Sequence, residues 1–119
     1  MKKLILILLS LLLMHGLNAQ NDTCKVLHEK LAGAYSGGCE NGLASGKGKA
    51  TGVDTYTGGF LNGLPHGKGT YTFKNGDEFK GRWVNGQKNG KGTFKYTQNG
   101  KKHTLSGYWK DDVYAGATD

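Results

Sequence analysis

The stretch Tyr56-Thr-Gly58-Gly-Phe60-Leu-Asn-Gly63-Leu-Pro-His-Gly67-Lys-Gly69-Thr-Tyr71-Thr-Phe73 decides how the rest of the chain is read. Tyr56, Gly58 and Phe60 alternate, so in an extended strand they fall on one side. Asn62-Gly63 begins a connection expected to run through Leu64-Pro65-His66 to Gly67. The chain then returns through Gly69, Tyr71 and Phe73, again at every second position, which is the arithmetic of a β-hairpin. Asn75-Gly76 has the positive-φ preference of a tight turn and leads into Phe79, Gly81 and Trp83, where the pattern starts again.

Outward from this core the same wording recurs. Tyr35-Ser-Gly37-Gly-Cys39-Glu-Asn-Gly42 precedes it, and Phe79-Lys-Gly81-Arg-Trp83-Val-Asn-Gly86 and Leu105-Ser-Gly107-Tyr-Trp109-Lys-Asp-Asp112 follow. A second phrase, Gly46-Lys-Gly48, returns as Gly67-Lys-Gly69 and Gly90-Lys-Gly92. Intervals of 21, 23 and 26 residues between the leading glycines mark a repeat array. The units fall near 35–55, 56–78, 79–104 and 105–116, with 117–119 as a tail. Asn85-Gly86 and Asn99-Gly100 punctuate the later units, so the strands are expected to run up and down as one antiparallel meander. The extra residues of the longest interval are expected in the turn around Gln98 to Lys102, because loops accept insertions.

Composition agrees with an all-β fold. Glycine supplies 21 of 119 residues, far above the usual ~7%, and the single proline excludes a collagen-like chain. Long helices are disfavoured, since each interior glycine costs roughly 1 kcal/mol against alanine. With 36% apolar residues, many of them in the first nineteen, one small domain is the ceiling. An enzyme needing a cofactor fold and a second domain is excluded. A lone sheet has no second layer, so its rings must cover one another, each offering roughly 150–250 Å². Tyr56, Phe60, Tyr71, Phe73, Phe79, Trp83, Phe94, Tyr96 and Trp109 are the candidate core. Glycines 58, 81 and 107 are expected to leave room where a side chain would strike a ring.

The unit Tyr/Phe-x-Gly-x-Trp/Phe-x-x-Gly-x-x-x-Gly-x-Gly resembles the MORN repeat (membrane occupation and recognition nexus), over roughly Tyr35 to Gly116. The match is fullest at Tyr56–Tyr71 and Phe79–Phe94. The resemblance implies a single elongated, twisted antiparallel sheet that serves as a platform for binding or assembly. Relatives are credited with binding acidic phospholipid, with self-association or with scaffolding partners, and chemistry in such proteins sits in separate domains. Repeat-core positions carried over from the motif are Tyr35, Gly37, Tyr56, Gly58, Phe60, Tyr71, Phe73, Phe79, Gly81, Trp83, Phe94, Tyr96, Leu105, Gly107 and Trp109. The first unit departs by placing Cys39 where the second ring belongs, and the fourth has Leu105 for its first ring. Both outer copies look like caps. A Cys24–Cys39 bond would then stand in for the missing ring and tie the lead-in across the open first edge.

The leading residues read as an export signal. Lys2 and Lys3 precede an apolar run, Leu4 to Met14, broken by Ser10, and Leu17-Asn18-Ala19 resembles a cleavage site. The run is short of the ~20 residues a spanning helix needs. Residues 20–34 form a lead-in, either a short helix capped by Asp22 or Thr23 with Val26, Leu27 and Leu31 on one face, or an irregular segment. Export makes the chain periplasmic, envelope-associated or secreted, where a Cys24–Cys39 disulfide would persist. The rival uses of two cysteines fare worse: a metal pair needs more ligands nearby, and a redox pair favours Cys-x-x-Cys.

No catalytic, cofactor or metal site emerges. Gly-Lys-Gly lacks the full phosphate-loop pattern, His28, His66 and His103 keep no ligand spacing, and Asp77-Glu78 and Asp111-Asp112 are adjacent residues that would face opposite ways. The serines Ser36, Ser45 and Ser106 have no evident base. The charge is more informative: 16 basic side chains, Lys2 and Lys3 among them, stand against 9 acidic ones. Lys47, Lys68 and Lys91 recur at one place in successive units, joined by Lys74, Lys80, Arg82, Lys88, Lys95, Lys101 and Lys102. One reading, favoured by the weakness of charge patterns alone, is solubility and blocked edge pairing. The other is a contact with an anionic membrane surface or glycan, with rings alongside. Partners are expected to be protein, self or envelope, or such an anionic surface, and not nucleic acid. The function expected is a non-catalytic exported binding or scaffolding module.

Overall fold

The structure is a computed structural model that describes residues 24–118. The export signal and the capping residues Asp22 and Thr23 lie outside the described residues. Eight strands follow one another: β1 (Ala34–Glu40), β2 (Leu43–Thr51), β3 (Thr55–Leu61), β4 (Leu64–Thr72), β5 (Glu78–Val84), β6 (Gln87–Gln98), β7 (Lys101–Lys110) and β8 (Val113–Gly116). Every strand pairs antiparallel with the next, giving one open sheet in sequence order. Seven steps of about 4.8 Å separate β1 from β8 by roughly 34 Å.

Turn stereochemistry explains the up-and-down path. Asn41-Gly42, Asn62-Gly63, Asn85-Gly86, Asn99-Gly100 and Asp111-Asp112 all have positive φ at both central residues, the signature of two-residue hairpin turns whose twist matches the strands. The longer β3–β4 connection expected from sequence is therefore absent. Leu64-Pro65-His66 already belong to β4, with Phe60 opposite Pro65 and a register shift absorbing the surplus residues. Asn75-Gly76 differs in the other direction. Only Gly76 has positive φ, and Phe73 donates to the Asp77 carbonyl across three intervening residues. The Asn75 side chain accepts from the Asp77 N–H at 2.9 Å, a local bond that fixes this wider loop.

The long interval between the third and fourth units also departs from expectation. Its extra residues extend the strands, with Tyr96 opposite His103, Thr97 opposite Lys102 and Gln98 opposite Lys101, closed by the tight Asn99-Gly100 turn. Residues added on both arms of a hairpin gain paired partners, whereas residues added to its loop gain none. Tyr96 uses this extension to stack on Phe94 and His103, with centroids 5.2 Å away in each case.

Down the middle of the sheet runs a row of glycines in register: Gly37, Gly48, Gly58, Gly69, Gly81, Gly92 and Gly107, one per strand from β1 to β7. Rings lie over this bare backbone. An edge-to-face series connects Tyr35, Phe60, Tyr56, Trp83, Phe79, Trp109 and Tyr114, with centroids 5.1–5.6 Å apart. Such pairs contribute about 0.5–1.5 kcal/mol each beyond burial. Their polar tips bond to backbone: Tyr56 Oη donates to the Gly59 carbonyl at 3.0 Å, and Trp83 Nε1 to that of Gly69 at 3.3 Å.

The described part of the lead-in, from Cys24, is not helical. Leu31 and Gly33 close a single turn, while Lys25 exchanges bonds with Gly42 and Ala44, Leu27 donates to Gly63, and Lys30 accepts from Asp54. Its backbone groups are thus spent on the sheet's turns and not on a helical ladder. Val26 and the fully buried Leu31 pack on the core, whereas Leu27 lies against Gly63 with much of its surface exposed. The segment crosses the aromatic side of the first strands instead of following the outer edge of β1. Cys24 and Cys39 are disulfide-bonded with Cα atoms 5.7 Å apart, and Cys39 stands opposite Ala44 as Phe60 stands opposite Pro65 and Trp83 opposite Lys88.

Candidate functional site

Strict alternation sends the two kinds of conspicuous side chain to opposite faces. Gly69 and Tyr71 share the aromatic face of β4, so Lys68 and Thr70 point the other way, as do Lys80 and Arg82 on β5 and Lys91 and Thr93 on β6. The rings expected beside the lysines are thus behind them. Most are also spent in packing: Tyr56 and Phe79 are fully buried, and Trp83 and Trp109 are only 3% and 7% exposed.

On the polar face Lys68, Thr70, Lys80, Arg82, Lys91 and Thr93 surround an open depression of about 580 Å³ whose floor is Gly69, Gly81 and Gly92. Lys68 lies directly opposite Arg82, and Thr70 opposite Lys80. A second depression of about 600 Å³ continues over Gly48, Gly58, Gly59 and Gly67, lined by Lys47, Lys49, Thr57 and His66, and shares Lys68 with the first. Together they make one trough above the glycine row, walled by basic and hydroxyl side chains. Neither depression has a carboxylate in its lining. Among the described residues the one ion pair is Lys88 with Asp112, 3.7 Å apart, which leaves the trough's cations without an acidic partner there.

The remaining lysines play other parts. Lys88 is on the aromatic face, its ammonium 5.6 Å from the Phe79 and Trp109 centroids and 6.0 Å from those of Phe73 and Trp83. Asp112 holds it there and also accepts from the Lys88 N–H at 2.8 Å. Lys95 stands opposite Glu78. Lys74 belongs to the β4–β5 loop, and Lys101 and Lys102 to the far end of the β6–β7 hairpin.

Of the repeat-core residues, Tyr35, Phe73, Phe94 and Leu105 pack on the buried cluster while keeping partial exposure. Sequence reasoning missed Asp54, a buried carboxylate between β2 and β3. It accepts from Tyr71 Oη at 2.6 Å and from the Lys74 N–H at 2.8 Å, which joins the β2–β3 turn to β4 and its following loop. Burial, then the hydrogen bond and charge of Asp54, push the Tyr71 hydroxyl well above its ordinary pKa; burial alone raises Tyr56. A lone acid before a strand gives no signal of this kind, because its partners are remote in sequence. Among the described residues no group of three or more His, Cys, Asp and Glu side chains is placed to hold a metal.

An open single-layer meander, held by rings over a glycine row and presenting a second, polar face, defines a repeat platform. The MORN repeat model matches residues 35–54, 56–78 and 79–101, and the chain belongs to that family. Its repeats are often binding or scaffolding modules and are generally non-catalytic. The fourth unit lies beyond the matched segments, yet Gly107 continues the glycine row and Trp109 the ring series. A comparison with curated proteins gives no match.

Proposed function

We propose that this protein is an exported, non-catalytic binding module that docks a negatively charged partner of the cell envelope on its polar face. The observation that carries the reading is the trough, which Lys68, Lys80, Arg82 and Lys91 line without a carboxylate. Uncompensated cations held on a rigid sheet attract an anionic surface at little ordering cost, since the backbone beneath them is already fixed. The disulfide suits an oxidising compartment outside the cytosol. The aromatic face supports this role by rigidifying the platform. A protein partner seated at the tight-turn end is the second reading, favoured by Leu61, Val84 and Val113, exposed by 40%, 40% and 67%.

The test is retention of the whole chain on envelope material from its own cells as salt is raised. Binding at low ionic strength that falls with added salt, and that is weakened in a Lys68→Glu, Arg82→Glu variant, is the expected result. Retention unaffected by both would overturn the charge-based reading and favour the aliphatic turn end.

A further inference from the structure

The trough has a shape as well as a charge. Its floor is bare backbone, Gly48, Gly58, Gly69, Gly81 and Gly92 in register, so it runs across the strands for about 19 Å at a spacing of about 4.8 Å per step. Side chains stand only along its two margins. One margin carries Lys47, Lys68, Arg82 and Lys91, and the other carries Lys49, Thr57, Thr70, Lys80 and Thr93. Cations spread along a line cannot all reach one compact anion, and their separation follows from strand spacing, not from convergence on a point.

Resting on the anion-docking reading above, we infer that the trough is a track for a linear acidic polysaccharide, sulfated or uronate-bearing, lying across the strands over the glycine row. Three features of the site fit this ligand class. A thin polymer can lie between the two rows of basic and hydroxyl side chains, and its charges recur along its length to meet both margins. The hydroxyls of Thr57, Thr70 and Thr93 offer donors and acceptors suited to sugar hydroxyls between the charges. The floor lies between its charged margins, and the exposed aliphatics Leu61, Val84 and Val113 sit at the turn end outside it. A flat lipid surface would meet the margins and leave the floor unused.

Equilibrium binding of the whole, disulfide-intact chain to polygalacturonate and heparin-derived oligosaccharides of graded length tests the inference. Neutral dextran, anionic phospholipid vesicles and a single-stranded oligonucleotide serve as comparisons. Affinity at low salt should rise by about tenfold or more as the oligomer grows to span the trough, then level off, while dextran does not bind. Lys68→Gln with Arg82→Gln should weaken the spanning oligomer about tenfold or more, and Lys91→Gln alone should weaken it measurably. Lys101→Gln with Lys102→Gln removes the same charge outside the trough and should have a much smaller effect. Equal losses in the two double variants, or affinity independent of length, would overturn the track. Vesicles or oligonucleotide bound through the trough with no oligosaccharide binding would overturn it while leaving anion docking intact. Failure of every anion to bind would remove both.

Discussion

Replacing Gly81 by valine probes the packing principle on which the sheet rests. Gly81 sits in the middle of the glycine row, and its φ lies outside the left-handed region, so a side chain there pays no backbone strain. What it meets is matter: a Cβ at this position would lie 2.5 Å from Gly92 Cα, 2.6 Å from the Lys91 carbonyl oxygen and 3.0 Å from Phe79 Cε1. Ordinary contact begins near 3.4 Å, so β5 and β6 must part by nearly an ångström, and Phe79 must give way by a few tenths as well. The expectation of a ring collision is thus refined, since the neighbouring backbone is the first obstacle. Overpacking of this kind costs about 1–3 kcal/mol. At roughly 4–8 °C per kcal/mol for a domain of this size, the melting temperature should fall by roughly 4–24 °C. Thermal unfolding followed by circular dichroism, disulfide intact, measures it. Gly76→Asn compares backbone strain without contact, because nothing lies within 4 Å of a Cβ there while its φ of 96° strains any side chain. A Gly81→Val protein that melts with the wild type would refute the close approach of backbones as the basis of the fold.

Two further outcomes follow from the buried polar groups. Tyr71→Phe and Asp54→Ala, made singly and together, should show a coupling of about 1.5–3 kcal/mol in denaturant unfolding, as expected for a hydrogen bond to a buried charged acceptor; additive losses would mean that the bond contributes nothing. Raised folded-state pKa values at Tyr56 and Tyr71 give stability that is fully present below the ordinary tyrosine value of 10.0 and is lost as pH rises through the elevated values. Above pH 10.0 the unfolded tyrosines ionise first, so stability should fall by about 1.4 kcal/mol per pH unit for each hydroxyl that stays protonated in the fold. Ionisation of Tyr56 and Tyr71 with midpoints near the ordinary 10.0, and no loss of stability above it, would contradict the burial of these hydroxyls.

Much of this architecture was legible in the chain itself, because its determinants are local. Two-residue alternation of rings with glycine sets strands, and Asn-Gly pairs set turns whose positive φ values match the twist of a hairpin. Even the separation of lysines from rings was available, since Lys68 is an odd number of residues from Tyr71 and an odd number means the opposite face. The errors came where the deciding partner is remote. Whether added residues near Gln98 make loop or strand depends on what stands opposite them, and Lys101 and Lys102 proved able to pair. For Val26, Leu27 and Leu31 the spacing left a short helix and an irregular segment both open, and the nearby turns of the sheet supply the backbone partners that decide between them.

What the sequence by itself determined is the strand-and-turn rhythm, the repeat family and the pairing of its two cysteines. Only the tertiary structure decided that seven glycines align into one row, that Asp54 becomes a buried acceptor, that Lys88 stands among four rings, and that Lys47, Lys49, Lys68, Lys80, Arg82 and Lys91 line one trough. Periodicity and turn stereochemistry act over a few residues, whereas register and burial arise from contacts between segments that the chain brings together only by folding.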